Sequence, residues 1–283
     1  MAGPKRFEGK NALVTGASRG IGAATAERLA AEGANVALVA RPAARSADAP
    51  GTLAETAARL REYGTTIITL EADLFEPDDR AEIAPTAARL LGDTIDVLVN
   101  NAATNMPHTL LDYALERRRR LFELNFHAPL DLTQAVLPGM LEKSQGWVVN
   151  VSSGSARHIP GPPFAVEGLG RVQGAYGASK AALNRMSNAL AAELYGTGIR
   201  MNTVEPRAAV RSDGAVARGV DMIPAHLFEP MEAMVEATVN LCCCETARTG
   251  GSYVSLDLLE ELRLDVWSLD GDHPVSFANQ LET

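Results

Sequence analysis

The chain has 283 residues, of which 46% are hydrophobic and 22% charged, the composition of a globular protein with enough apolar mass for a core. A formal net charge of −9 argues against binding to nucleic acid or to an anionic membrane. Four consecutive arginines at 117–120 lie between Glu116 and Glu123 in a helical pattern, and are interpreted as a solvated face with ion pairs.

Neither a targeting segment nor a membrane span is expected. Residues 1–16 lack the apolar region of a signal peptide, and no stretch approaches the roughly 18 apolar residues of a spanning helix. The three cysteines are consecutive, Cys242 to Cys244, so on a helix they point in different directions and cannot share a tetrahedral metal. We therefore predict no metal site, free thiols and a cytoplasmic location.

Short apolar segments alternate with alanine-rich helical patterns along the chain. This alternation predicts an α/β fold, a Rossmann-like doubly wound parallel sheet of about seven strands with helices on both faces, in three layers. The predicted strands are 11–16, 35–40, 66–73, 95–102, 146–153 and 199–206. The predicted helices are 21–32, 52–63, 78–91, 114–143 and 175–195.

No linker or repeat divides the chain, so a single domain over 1–283 is predicted, with its core at 8–256. Two irregular stretches, 154–174 and 206–230, are long enough to be binding loops beside a site. The pattern of the tail at 257–283 predicts no function.

The segment "TGASRGIG", residues 15–22, follows the first predicted strand and opens the first helix. Its glycines Gly16, Gly20 and Gly22 would let the backbone turn tightly and approach a pyrophosphate, which the helix N-terminus attracts. The plain alternative is a glycine-rich turn without a ligand. With a strand before it and a helix after it, the segment favours a dinucleotide site.

The end of the second strand bears on which dinucleotide binds. An NAD site places a carboxylate there for the ribose 2′-OH, whereas an NADP site uses arginine for the 2′-phosphate. Here Ala40 stands at that point and Arg41 follows, while Arg19 lies inside the glycine segment. Two arginines without a carboxylate favour NADP(H) over NAD(H). Either arginine could instead be solvated surface.

In "YGASK", Tyr176 and Lys180 are four residues apart, so a helix brings them to one face. Hydride transfer to a carbonyl needs a proton donor, and a phenol with a pKa near 10 is a poor one at neutral pH. A nearby ammonium lowers the phenol's pKa. The pair is thus a candidate acid–base couple; the alternative is a chance pair on a helix packed in a dimer.

Three motifs together, "TGASRGIG", "NNAA" at 100–103 and "YGASK" at 176–180, resemble the short-chain dehydrogenase/reductase family over about residues 8–256. The resemblance implies a Tyr176 and Lys180 catalytic pair, with Asn125 in the central helix positioning a water. It also implies a set of cofactor-binding positions, namely Gly16, Ser18, Arg19, Gly20, Ile21, Gly22, Arg41, Asp73, Leu74, Asn101, Ala102, Tyr176, Lys180, Pro206 and Ser212.

The family's catalytic serine lies about a dozen residues before the tyrosine, where this chain has none. The fifth strand ends in "NVSSGSA", and Ser153 matches the serine if about ten residues, loosely 158–172, are inserted after it. Ser152 and Ser155 compete for the assignment, and a turn cap is the structural alternative. After the sixth strand the chain reads Pro206 and Arg207 where the family has Pro-Gly, and Ser212 is the candidate for the usual threonine. Arg207 or Arg211 could face an anionic substrate, and His158 and His226 could line the pocket, but surface and ordinary loop residues are the favoured interpretations.

The expected function is that of an NADP(H)-dependent oxidoreductase interconverting an alcohol and a carbonyl on a small molecule. Apolar residues Phe164, Val166 and Leu169 in the inserted stretch could cap the pocket, which favours a hydrophobic substrate, or could equally pack on a neighbouring subunit. A homodimer or homotetramer is implied by the family, with neither nucleic acid nor membrane as partner. The alternatives are a non-catalytic dinucleotide-binding regulator and an epimerase or dehydratase that uses transient oxidation.

Overall fold

A seven-stranded, wholly parallel sheet forms the centre of the molecule. The computed structural model describes residues 5–42, 51–164, 166, 168–207, 209–210 and 228–276. The sheet strands are β1 (Asn11–Thr15), β2 (Asn35–Ala40), β3 (Ile67–Glu71), β4 (Val97–Asn100), β5 (Gly146–Val151), β6 (Ile199–Glu205) and β9 (Ser252–Val254). Their order in the sheet is β3-β2-β1-β4-β5-β6-β9. The predicted Rossmann-like α/β class is confirmed.

Helices cover both faces of the sheet and give three layers. The helices are α1 (Gly20–Ala31), α2 (Leu53–Leu60), α3 (Pro77–Leu91), α4 (Leu115–Phe122), α5 (Ala128–Glu142), α6 (Gly174–Glu193), α7 (Met231–Leu241) and α8 (Ser255–Leu262). One core joins α1, α2, α7 and α8 to the sheet, and the other joins α3, α5 and α6. Burial on both faces explains why the strands read as continuous apolar segments.

Strand order reverses between β1 and β4, which are neighbours in the sheet although two other strands separate them in the chain. In doubly wound sheets, ligands bind in the crevice outside the carboxyl ends of the strands at such a reversal. The glycine segment follows β1, and Asn101 follows β4. The topology therefore brings the two motifs to one edge.

The long helical pattern at 114–143 contains one irregular turn. α4 and α5 are joined by a π-helical turn over Glu123–His127, which carries Asn125. Such single π turns are frequent at functional sites because they displace one turn of the hydrogen-bond ladder.

The C-terminal part holds elements that the apolar pattern did not predict. They are α7, α8, β9 and a short parallel pair formed by β7 (Ala209–Val210) and β8 (Phe228–Glu229). β9 has three residues and α8 eight, lengths at which hydrophobic periodicity is a weak signal. α8 packs against α7 and completes one face of the sheet.

A buried ion-pair network joins the N-terminal residues to α1 and α7. Arg28 donates to Glu32 at 2.6 Å and to Glu236 at 2.7 Å, and Arg6 contacts the same two carboxylates. Arg28 also donates to the carbonyls of Trp267 and Ser268, at 3.2 and 2.9 Å. All three guanidinium nitrogens of Arg28 therefore donate to a partner, as a fully buried guanidinium requires.

The three cysteines at the end of α7 are free thiols. Burial raises the pKa of Cys243 and of Cys244 to about 11, so both are protonated at neutral pH and poorly nucleophilic. Among the helices that the structure describes, none combines the length and apolarity needed to cross a membrane.

Candidate active site

The glycine turn, residues 15–22, packs tightly against the segment that follows β4. Gly16 and Gly20 have φ of +66° and +56°, the left-handed region that glycine enters without strain. A Cβ on Gly22 would lie 2.3 Å from Asn101 Nδ2 and 2.4 Å from the Gly16 carbonyl oxygen. Only glycine therefore allows this turn to close.

Thr15 and Asn101 connect the ends of β1 and β4. The Thr15 hydroxyl accepts hydrogen bonds from the backbone N–H groups of Asn101 and Ala102, each at 3.0 Å. The Asn101 side chain donates to the Thr15 carbonyl at 3.0 Å. Thr15 was not among the predicted site residues, although it opens the glycine motif.

The N-terminus of α1 fits the pyrophosphate of a dinucleotide. Arg19 stands at the N-cap in an extended conformation, and its side chain does not cap the helix. The first backbone N–H groups of the helix, from Gly20, Ile21 and Gly22, have no partner within the helix and favour an anion at this point. The Ser18 carbonyl accepts from Thr56 at 3.3 Å, which fixes the turn against α2.

Three predicted cofactor-binding residues, Arg41, Asp73 and Leu74, follow β2 and β3, which end side by side in the sheet. Arg41 is exposed immediately after β2. Asp73 and Leu74 follow β3 and are buried, and Phe75 N–H donates to the Asp73 carboxylate at 3.2 Å. These three predicted positions therefore share one end of the sheet.

Tyr176 and Lys180 lie one turn apart near the start of α6. Tyr176 is partly buried, whereas Lys180 is only 2% exposed. Lys180 Nζ donates to the Val151 carbonyl at the end of β5, at 2.8 Å. Burial lowers the pKa of Lys180 from 10.5 to about 8, so the ammonium still prevails at pH 7.

Ser153 lies in the turn formed by residues 152–157, here called the Ser153 turn. Its hydroxyl accepts from the Ser155 backbone N–H at 3.2 Å and from the Ser155 hydroxyl at 2.9 Å. Ser152 is buried, with its hydroxyl unpartnered among the described residues, whereas Ser153 is half-buried. The greater accessibility of Ser153 favours it over Ser152 as the serine of the site. Ser155 holds the Ser153 hydroxyl in place through its two hydrogen bonds.

Asn125 lies fully buried in the π-helical turn and connects three segments. Its amide accepts from the Thr104 N–H and donates to the Thr104 carbonyl, each at 2.9 Å. It also donates to the Ser179 hydroxyl at 3.0 Å, and Ser179 donates to the Tyr176 carbonyl at 2.7 Å. Ser179 supports the site through these two hydrogen bonds and was not among the predicted site residues.

The predicted residues after β6 are only partly described. Pro206 is half-buried at the end of β6, while Ser212 and His226 lie outside the described residues. Arg207 is paired with Asp257 at 2.6 Å and Glu260 at 2.9 Å. These ion pairs, rather than an anionic substrate, account for Arg207. His158 is exposed.

Comparison with known proteins shows the family to which the chain belongs. The family model for short chain dehydrogenases matches residues 10–217. A short chain dehydrogenase of Pseudocercospora fijiensis is 34% identical over 241 residues, covering 83% of this chain and 72% of that protein. A very-long-chain 3-oxoacyl-CoA reductase of Coprinopsis cinerea is 33% identical over 245 residues, covering 84% and 66%.

A solved structure extends the agreement to three dimensions. The 3-oxoacyl (acyl-carrier-protein) reductase from Agrobacterium tumefaciens C58, crystallised with NADP, superposes with a TM-score of 0.74 at 28% identity and covers 88% of this chain and 93% of that one. The chain belongs to the short chain dehydrogenase family and is an NAD(P)-dependent oxidoreductase.

Proposed function

We propose that the enzyme interconverts a carbonyl and an alcohol, with Tyr176 as proton donor and acceptor, and with Lys180, Ser153 and Asn125 in support. The observation that carries this is the hydrogen bond from Lys180 Nζ to the Val151 carbonyl. This bond holds the buried Lys180 ammonium against Val151, which lies two residues before Ser153. Lys180 itself lies one helical turn from Tyr176. Folding alone gives no reason to bury that charge, which costs free energy.

Each group has a chemical task in this proposal. The Lys180 ammonium favours the phenolate of Tyr176 and so eases proton exchange at neutral pH. The Ser153 hydroxyl donates to the substrate oxygen and stabilises charge that develops on it. Asn125 holds Ser179, and through it the first turn of α6, in register. A nicotinamide dinucleotide, when bound, would supply the hydride for carbonyl reduction and would accept it in alcohol oxidation.

We propose NADP(H) as the preferred cofactor. Arg19 and Arg41 stand at the glycine turn and after β2, and Ala40 leaves the end of β2 without a carboxylate. The Agrobacterium tumefaciens neighbour was crystallised with NADP, in line with this preference. Arg41→Ala should raise the Kd for NADPH by about tenfold, as the loss of one charge-assisted pair does. The Kd for NADH, measured by fluorescence titration, should stay the same.

We propose an apolar substrate. Phe164 and Ile159 are 65% and 54% exposed on the stretch between Ser153 and Tyr176. Leu110 and Leu111 are also exposed, and the segment before them is joined to this stretch by the hydrogen bond from His108 N–H to the Val172 carbonyl. Two of the similar proteins reduce 3-oxoacyl groups by name, so 3-oxoacyl thioesters belong among the candidates.

The test is NADPH oxidation, with NADH in parallel, against ketones, aldehydes, quinones, ketosteroids and 3-oxoacyl thioesters. Tyr176→Phe is the matched variant, because it removes only the phenolic hydroxyl. We expect turnover that disappears in Tyr176→Phe while NADPH still binds. Turnover that survives in this variant would contradict the role of Tyr176. NADPH binding without turnover on any compound would favour the non-catalytic regulator.

We also propose a homodimer or homotetramer built on the α4, α5 and α6 surface. Leu115 on α4, Leu141 on α5 and Tyr195 after α6 are 53%, 43% and 77% exposed. Exposed large apolar side chains on neighbouring helices are typical of a covered interface. Sedimentation equilibrium of the purified enzyme tests this, and a monomer at micromolar concentration would contradict it.

A further inference from the structure

Two contacts tie the Ser153 turn to the end of β6: the Ser152 N–H donates to the Val204 carbonyl at 2.7 Å, and the Arg157 side chain reaches across from the turn. Arg157 Nε pairs with Glu205 Oε1 at 2.8 Å, and Arg157 Nη2 donates to the Arg207 carbonyl at 3.1 Å. Glu205 is the last residue of β6, and Arg207 is the second residue of the loop that follows. One guanidinium thus spans the gap between the two loops that border the catalytic serine.

Arg157 also folds back on its own turn. A Cβ on Gly154, next to Ser153, would lie 2.7 Å from Arg157 Nη2. The guanidinium therefore lies directly over the backbone of the Ser153 turn. A shift of Arg157 would remove this contact together with the ion pair to Glu205 and the hydrogen bond to the Arg207 carbonyl.

Glu205 depends on this partner because it is buried. It is 4% exposed, and its second oxygen, Oε2, has no hydrogen-bond partner among the described residues. Burial raises the pKa of Glu205, and the Arg157 guanidinium opposes that change. Without Arg157, this buried carboxylate would lose the one ion pair that it makes among the described residues, which is costly in a low-dielectric site.

We infer that Arg157 and Glu205 are positioning residues whose ion pair holds the Ser153 turn against β6, so that the Ser153 hydroxyl keeps its place beside Tyr176. The other side of the same turn is held by α6, where Ser155 packs against Gly177. The turn is therefore clamped from both sides. The effect on turnover rests on the proposed function, whereas the anchoring itself does not.

The test compares Arg157→Met with Arg59→Met. Arg59 and Glu27 form a matched pair away from the turn, also 2.8 Å long, with an exposed arginine and a largely buried glutamate. Two properties are measured for each variant: hydrogen exchange at residues 152–157, and kcat together with the Kd for NADPH. Arg157→Lys serves as the conservative variant, because an ammonium can pair with Glu205 but cannot also reach the Arg207 carbonyl.

We expect faster exchange at 152–157 and a kcat lowered about 10- to 100-fold in Arg157→Met, as displacement of a catalytic group by about 1 Å produces. The Kd for NADPH should stay near the wild-type value, Arg157→Lys should recover part of kcat, and Arg59→Met should change neither property. Unchanged exchange at 152–157 would overturn the anchoring. Faster exchange with unchanged kcat would overturn the positioning of Ser153. A wild type without turnover would contradict the proposed function alone, since exchange still reports on the anchor.

Discussion

Gly177 lies against the backbone of Ser155, so close that a Cβ on Gly177 would stand 2.3 Å from the Ser155 carbonyl oxygen. Gly177 follows Tyr176 in α6, and Ser155 is the hydrogen-bond partner of Ser153. The absence of a side chain at this one position lets α6 approach the Ser153 turn. The distance between the two halves of the candidate site therefore depends on a glycine.

We expect Gly177→Ala to lower kcat by about 100-fold, because the added methyl group must push the Ser153 turn away from Tyr176. Gly174→Ala is the matched control on the same helix. Its Cβ would meet only Leu110 Cδ1 at 4.0 Å, an ordinary contact. Steady-state kinetics of both variants checks the prediction, and equal rates for the two would contradict it.

The depressed pKa of Lys180 makes stability depend on pH. The folded value is about 8 and the ordinary value 10.5, so between them the unfolded chain binds more protons than the folded one. Stability contributed by this residue must then rise with pH across that interval, by at most about 1.4 kcal/mol per pH unit.

Urea unfolding of cofactor-free wild type and Lys180→Met, from about pH 7 to 11, measures this. We expect the wild type to gain stability relative to the variant between pH 8 and 10.5, with a constant difference below pH 8. The difference between the two proteins cancels the titration of other groups. A flat difference throughout would show that Lys180 titrates normally.

Ser179 and Ser187 offer a matched pair on α6. Both are buried, both accept from an asparagine amide and both donate to a backbone carbonyl of the preceding turn. Alanine at either position should cost about 1–3 kcal/mol in unfolding free energy, because a buried donor loses its partner.

Only Ser179 touches Asn125 and the Tyr176 carbonyl. We therefore expect Ser179→Ala to lower kcat and Ser187→Ala to leave it unchanged at a temperature where both proteins are folded. Kinetics combined with denaturation separates the two effects. Equal kcat values would reduce Ser179 to a structural role.

Gly22→Ala should weaken binding of NADPH and NADH alike, by at least about tenfold. A methyl group at this position would overlap Asn101 Nδ2 and the Gly16 carbonyl, so the glycine turn must open. Fluorescence titration with both dinucleotides checks it. An equal loss for the two cofactors distinguishes this variant from Arg41→Ala, and unaltered binding would mean that the turn does not contact the dinucleotide.

Sequence patterns predicted most of the fold because the strands are buried on both faces. The six predicted strands and five predicted helical segments all correspond to observed elements, with ends that differ by a few residues. β9, α8 and the β7–β8 pair were missed, since two to eight residues carry too little periodicity to separate from a loop, and the eleven-residue α7 was missed as well. The π turn at Asn125 has no local signature that distinguishes it from the helix around it.

The site could be predicted as far as its side chains belong to motifs. Tyr176 and Lys180 lie one turn apart on α6, as their spacing predicted, and Asn125 lies in the π turn before α5, while the roles that the family pattern implies for them stay predictions. The Arg157–Glu205 pair could not be predicted, because its members are 48 positions apart and neither belongs to a motif. Contacts of that kind depend on the tertiary approach of two loops, which a single sequence does not encode in any short pattern.

The ion-pair network of Arg28 connects α1, the helix that carries the glycine turn, to the chain at Trp267 and Ser268. The N-terminus of α1 carries the backbone N–H groups that we propose to bind the pyrophosphate. Two turns later the helix carries the fully buried Arg28, whose guanidinium also donates to the carbonyls of Trp267 and Ser268. Loss of the segment after α8 would leave that cation desolvated and half-satisfied beneath the helix that carries the glycine turn. We therefore expect the chain around Trp267 and Ser268 to unfold together with α1.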